Sequence, residues 1–325
     1  EYGDIFDGSA EIERKVTELK EAARQELTRI ETLGGAVVAV EQGIMKRALV
    51  ESNARRIVGI ERGDQVVVGV NRWGDSEPSP LTAGEGTVLT VPDHVETDAI
   101  ARIRAWRAAR DHVAVESALQ ALEQAARDGS NIMPASIACA KAGVTTGEWG
   151  EALRGIFGRY RAPTGVSIET TTEPANDEIK VMIADLAQGL GEQPRLLVGK
   201  PGLDGHSNGA EQIALRARDV GFEVTYDGIR LTPEEIVAQA IASKTHLIGL
   251  SILSGSHVPL VRDVMARLRQ AGLDHIPVVV GGIIPQEDEN ILRNMGVRAV
   301  YTPKDYAMDA IMVDIVKVLQ KAHIQ

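Results

Sequence analysis

The sequence predicts an α/β protein, with a five-stranded, doubly wound parallel sheet in residues 195–325 behind a mainly helical region. Two observations predict it. First, five short apolar runs, at 195–199, 223–226, 245–253, 277–281 and 299–302, alternate with helical patterns at 209–220, 233–243, 258–271, 286–295 and 306–321. Near-continuous apolar runs suit parallel strands covered on both faces, and strict alternation with short connections implies right-handed crossovers. Second, the turns after three of these runs are rich in Gly and Ser, and in such a sheet they gather at one edge, where open α/β sheets bind ligands.

Taking the elements in order, residues 11–30 read as a charged amphipathic helix with Ile12, Val16, Leu19, Ala22 and Leu27 on one side. Gly34 and Gly35 stop it. Residues 36–61 read as a second helix interrupted at Gly43. Gln65-Val-Val-Val-Gly-Val70 reads as a short buried strand with no nearby partner, so we expect its sheet to be completed by a piece upstream of this segment. Residues 75–80 are turn-rich and 82–91 extended. Helices are expected at 98–110, 112–127, 135–141 and 147–160, with Asn131-Ile-Met-Pro134 marking a helix start. The polar stretch 167–174 reads as a linker. Residues 176–190 form a helix whose Ile179, Met182, Ile183 and Leu186 share one face, expected to pack on the sheet domain. The expected division is 1–160, mainly helical; 161–194, linker and helix; and 195–325, the sheet domain.

Composition narrows the function. A length of 325 residues allows two or three domains. The net charge of −11 without a basic cluster argues against nucleic acid and anionic membrane surfaces as partners. Aromatics at 3% leave little for base stacking. No run approaches the ~18 apolar residues of a membrane span, and no signal-peptide pattern is present. The first residue is Glu1 rather than Met, so we expect a processed or truncated start. The single cysteine, Cys139, excludes an intramolecular disulfide and suits a reducing cytoplasm. Within Ile137-Ala-Cys-Ala140 it reads as a packed thiol rather than a nucleophile.

The candidate site begins at Lys200-Pro-Gly-Leu-Asp204-Gly-His206-Ser-Asn-Gly209, directly after the first run of the sheet. His206 should sit in a strand-to-helix loop. Asp204 is placed to accept its second N–H, as carboxylates do behind metal-bound histidines. Asn208 is a candidate N-cap, and Gly205 and Gly209 let a bulky ligand approach the backbone. Taken alone, the pattern equally fits a solvated loop histidine beside a loop aspartate. The loops after the third and fourth runs, Ser251-Ile-Leu253-Ser-Gly255-Ser-His257 and Gly281-Gly282-Ile-Ile-Pro285, favour a ligand, because three small-residue loops converge on one edge. His257 is a rival ligand or a helix-capping histidine. His246 reads as packed in the third strand, and His94, His112, His275 and His323 as surface residues.

Asp204-x-His206-x-x-Gly209, Ser251-x-Leu253 and Gly281-Gly282, set on a flavodoxin-like sheet, resemble the cobalamin-binding domain of the adenosylcobalamin-dependent acyl-CoA mutases. Tyr301-Thr-Pro303 is similar to that family's ending of the fifth strand. Upstream, Leu33-Gly-Gly35, Gln42-Gly43, Gly69-Val-Asn71, Asn131-Ile-Met-Pro134 and Gly147-Glu-Trp resemble the segment that follows the family's substrate barrel. Arg159-Tyr-Arg-Ala-Pro163-Thr-Gly165 and Asp4-Ile-Phe-Asp-Gly8 resemble the ethylmalonyl-CoA mutase branch.

The resemblance implies that His206 is the lower axial ligand of cobalt and that Asp204 holds its imidazole. Lys200 matches a family lysine near that aspartate. It further implies that Ser251 touches the buried benzimidazole and that Leu253, Gly281 and Gly282 line the slot for the nucleotide tail. His257, which matches a family histidine, would lie near the corrin. The implied activity is a carbon-skeleton rearrangement of an acyl-CoA, ethylmalonyl-CoA to methylsuccinyl-CoA, with a barrel outside this segment holding the substrate. A homo-oligomer and a G-protein chaperone are implied as partners. Methylmalonyl-CoA or 2-hydroxyisobutyryl-CoA as substrate, or a non-catalytic corrinoid carrier or sensor module, remain the alternatives. Arg72 and Trp73 either face the barrel or pack ordinarily.

Overall fold

The computed structural model describes residues 6–74, 91–92, 94–164 and 176–323. The stretch expected to be turn-rich at 75–80, almost all of the expected extended stretch 82–91 and the expected linker 167–174 lie outside the described residues. The chain divides into two compact units, Glu1–Ser76 with Arg161–Gln325, and Glu77–Tyr160. The region 1–160 read from the sequence as one block is therefore shared between them.

In the first unit, helix α1 spans Ala10–Thr32, α2 Ala36–Glu41 and α3 Ile44–Glu61. The break between α2 and α3 falls at Gly43, whose φ of 66° is a left-handed value that glycine adopts without strain. Gln65–Val70 is not a strand. The Asn71 amide takes over the hydrogen bonds a sheet would have made: Val67 N–H donates to its Oδ1 at 2.8 Å, and its Nδ2 donates to the carbonyls of Ile60 at 2.7 Å and Gln65 at 2.8 Å. Gly69, at φ 79°, turns the chain back so that its N–H meets the Arg72 carbonyl at 2.8 Å. Val66, Val68 and Trp73 are left exposed. Among the described residues this run makes its own turn rather than joining a sheet.

The second unit holds α4 (His94–Ala109), α5 (His112–Arg127), α6 (Met133–Ala142) and α7 (Thr146–Phe157). Leu122, Ala118 and Cys139 form its core, and the Cys139 thiol lies 3.3 Å from the Ala118 carbonyl. Thr145 and Glu148 form a capping box that starts α7. Arg110 closes on the same carboxylate, with Nη1 2.6 Å from Glu148 Oε2.

Returning to the first unit, α8 (Asp177–Leu190) opens at an Asn176 cap and buries Ile179, Ile183 and Leu186. The sheet follows as β1 (Arg195–Gly199), α9 (Asn208–Val220), β2 (Glu223–Thr225), α10 (Pro233–Ala242), β3 (Leu247–Ile252), α11 (His257–Gln270), β4 (Val278–Gly282), α12 (Gln286–Asn294), β5 (Ala299–Tyr301) and α13 (Met308–His323). All pairings are parallel and the strand order is β2-β1-β3-β4-β5. One core packs α8, α9 and α13 on one face, through residues such as Leu186, Ala214 and Val316. A second packs α10, α11 and α12 on the other, through Ile236, Val264 and Leu292. The strand order reverses between β1 and β3, so the loops after these strands diverge to opposite faces and open a crevice.

His246 lies one residue before β3, where its Nδ1 accepts the Arg195 N–H at 3.0 Å. His323, expected at the surface, is half-buried instead and bonds the His246 carbonyl at 3.0 Å.

The Arg110 guanidinium, aided by Thr145, holds the Glu148 carboxyl well below the usual carboxylate range despite its partial burial. A native value below the unfolded one near 4.3 gives stability that is complete above that value and is lost as pH falls toward the native one. Denaturation of wild type and Glu148→Gln across pH should show a wild-type advantage at neutral pH that shrinks below about pH 4.5. An advantage independent of pH would contradict the pairing.

Candidate functional site

Asp204 organises the loop between β1 and α9. Its Oδ2 lies 2.7 Å from Lys200 Nζ and accepts the Leu253 N–H at 3.1 Å. Its Oδ1 accepts the His206 backbone N–H at 2.9 Å and contacts the ring Nδ1 at 2.7 Å. Lys200 is fully buried, its ammonium also 3.3 Å from the Ser251 carbonyl, and the Asp204 side chain is 4% exposed. Burial alone would push the Asp204 carboxyl up; the Lys200 ammonium and the N–H groups of His206 and Leu253 outweigh it and hold the carboxyl well below its usual range. An ionised carboxylate only accepts, so the proton of a neutral His206 ring sits on Nδ1. Nε2 is left as an acceptor with no partner among the described residues, on a side chain 77% exposed.

Beside this loop a cavity of about 370 Å³ runs along the sheet face between α9 and α13. Its size falls in the range of small-molecule sites. Leu196 and Val198 of β1, Val279 of β4 and Ile311 and Ile315 of α13 make its walls apolar. Gly209, Ser251, Leu253, Gly281 and Gly282 also line it, as does the Tyr301-Thr-Pro303 ending of β5. A Cβ on Gly209 would meet nothing within 4 Å and one on Gly281 nothing closer than the Tyr301 carbonyl at 4.0 Å, so the missing side chains widen the slot. Gly282 does something different. A Cβ there would stand 1.8 Å from the Ile252 carbonyl oxygen, so this glycine lets β4 pass β3.

Five predicted residues lie outside the slot lining. Lys200 is enclosed behind Asp204, and Asp204, Gly205 and His206 belong to the loop next to the slot. His257 is not brought to the slot. It is buried at the start of α11, with Nε2 2.8 Å from Asp288 Oδ2 of α12 and Nδ1 unpartnered. Two contributors escaped the sequence reading. The Leu253 backbone N–H fixes Asp204 from just after β3, and Ile57 of α3 lines the slot from far upstream. The sequence carries no local signal for either, since both depend on tertiary contacts.

Among the described residues no group of three or more His, Cys, Asp or Glu is placed to hold a metal ion. A neutral imidazole with a free nitrogen is a good donor to a borderline transition metal. Together, the doubly wound sheet, the free imidazole nitrogen at its switch point and the apolar slot define a binding domain for a metal-bearing cofactor with an apolar tail.

Known proteins supply the family. Residues 194–312 match the B12 binding domain, and residues 2–159 match the family model described as Methylmalonyl-CoA mutase. The chain is 68% identical to the ethylmalonyl-CoA mutase of Methylorubrum extorquens, over 99% of this chain and 47% of that protein. It is 56% identical to the ethylmalonyl-CoA mutase of Cereibacter sphaeroides, over 99% and 49%. Against the methylmalonyl-CoA mutase of Escherichia coli it is 34% identical, over 98% and 45%. The chain therefore belongs to the acyl-CoA mutase family whose members carry a B12 binding domain. It spans about half the length of the curated relatives it matches.

The geometry separates the two glycines of β4. Gly282→Ala should cost about 3 kcal/mol or more through backbone collision, whereas Gly281→Ala should stay within about 1 kcal/mol. Urea denaturation of both variants checks this; equal costs would contradict the two roles.

Proposed function

We propose that this chain supplies the cobalamin-binding part of an acyl-CoA mutase that converts ethylmalonyl-CoA to methylsuccinyl-CoA. The observation that carries the reading is the pairing of His206 Nδ1 with Asp204 beside an apolar slot, which leaves Nε2 free at the switch point. In this reading His206 Nε2 would hold the cobalt of the cofactor. Asp204, held in turn by Lys200 and Leu253, fixes the ring and its tautomer. Leu253, Ser251, Gly209, Gly281 and Gly282 enclose the nucleotide tail, away from water.

Bound adenosylcobalamin supplies a cobalt–carbon bond that breaks homolytically; the protein contributes orientation and the exclusion of side reactions. The higher identity to two ethylmalonyl-CoA mutases than to a methylmalonyl-CoA mutase supports the substrate reading. The unmatched half of those relatives leaves room for the barrel that would hold the acyl-CoA. We further propose a cytoplasmic, homo-oligomeric enzyme served by a G-protein chaperone. No helix among the described residues is long and apolar enough to cross a membrane.

The test is the EPR spectrum of cob(II)alamin bound to this chain. One axial nitrogen should split the signal into triplets, and ¹⁵N-labelling of the protein's histidines should convert them to doublets. Unchanged triplets would mean that benzimidazole still binds cobalt and would overturn the ligand assignment. His206→Ala should retain triplets under the same labelling. Gly281→Leu, which fills the slot without touching the β3 backbone, should fold and lose cobalamin; normal binding would place the tail elsewhere. With the barrel restored, mass spectrometry should find methylsuccinyl-CoA formed from ethylmalonyl-CoA in preference to turnover of methylmalonyl-CoA.

A further inference from the structure

The first turn of α9, which begins two residues after His206, contains a buried charge. Glu211 has a side chain only 2% exposed, and its Oε2 has no partner. Its Oε1 is paired at 2.7 Å with Lys46 Nζ, which comes from α3 and is 24% exposed. The same ammonium donates at 2.7 Å to Ser207 Oγ, the residue adjacent to His206. Lys46 thus ties together the end of the histidine loop and the start of α9 across 161 residues of sequence. Next to it, Gln212 Nε2 donates to the Val50 carbonyl at 3.2 Å. Val50 and Ala54 pack on Leu215, and one turn further along α3 Ile57 enters the wall of the slot.

Helix α3 lies outside the segment that matches the B12 binding domain and inside the one that matches the mutase model. We propose that α3 is nevertheless part of the cofactor site, with Lys46 as a positioning residue for His206. The inference rests on the cobalamin reading above. Asp204 and Lys200 hold the loop at its β1 end; Lys46, reaching over from α3, holds it at its α9 end. A buried carboxylate needs a partner, and removing one member of a buried pair leaves the other as an uncompensated charge. Without Lys46, Glu211 is left as a buried carboxylate with no cation beside it, and an outward shift of the first turn of α9 would give it water. Ser207 and His206 would move with it, and the imidazole would leave the position in which Asp204 presents it to a metal.

The experiment uses the full chain. Hydroxocobalamin affinity is measured by its spectral change, and the cob(II)alamin EPR spectrum is recorded at saturation with ¹⁵N-labelled histidine. Lys46→Met should weaken binding about tenfold and return part of the signal from doublets to triplets, the mark of a lost histidine ligand. Lys46→Arg, which can bridge the same two oxygens, should restore most of the doublet. Ser207→Ala removes only the hydroxyl and should weaken binding about threefold; it keeps the inference testable should Lys46→Met fail to fold. Lys15→Met, on exposed α1, should match wild type.

Wild-type affinity and full doublets in folded Lys46→Met would overturn the role of Lys46 while leaving the cobalamin reading intact. If Lys46→Met does not fold, unaltered Ser207→Ala would overturn it in the same way. Triplets in labelled wild type would overturn both.

Discussion

The site depends on one buried carboxylate. Asp204 accepts from four groups at once: the Lys200 ammonium, the Leu253 amide, and the backbone and ring N–H groups of His206. Lys200 closes β1 and Leu253 follows β3, so the carboxylate stitches together the two strands at the switch point. Its remaining oxygen lone pairs orient the imidazole. A lysine with no exposed surface is costly unless its partner is close and well bonded, and here each of the two charges makes the other tolerable. The product of this network is a single free nitrogen, Nε2, presented outward from a rigid frame.

The slot follows from the same topology. Because β1 and β3 are neighbours whose connections leave to opposite faces, the face under α9 and α13 opens at their carboxyl ends. Glycines at 209 and 281 keep the opening wide, while Gly282 satisfies a packing demand between β3 and β4. Both glycines line the slot, but only Gly282 is also demanded by the packing of β4 on β3.

Much of this was legible in the sequence because parallel strands buried on both faces leave continuous apolar runs. The five strands fall where 195–199 and its four successors were expected, within two residues at each end. The Asp204–His206 pair was legible because a two-residue spacing allows a local hydrogen bond. The run Gln65–Val70 misled for the same reason that the strands were readable: it is equally apolar, and periodicity does not reveal that the Asn71 amide will bond its backbone. His257 carried a ligand's residue type, but its burial against Asp288 depends on how α11 meets α12. Lys46 and Ile57 were invisible, since their partners are far away in sequence and only the folded chain brings them together.

The central claim is that Asp204 fixes His206 as the Nδ1–H tautomer, with Nε2 free to bind metal, before any cofactor arrives. Long-range ¹H–¹⁵N NMR of the cofactor-free chain, labelled in histidine and held near pH 8 where an ordinary imidazole is neutral, reads the tautomer directly. The account predicts a protonated Nδ1 and an unprotonated Nε2 for His206, with that preference lost in Asp204→Ala. A His206 ring protonated at Nε2, or one exchanging evenly between tautomers in wild type, would contradict it.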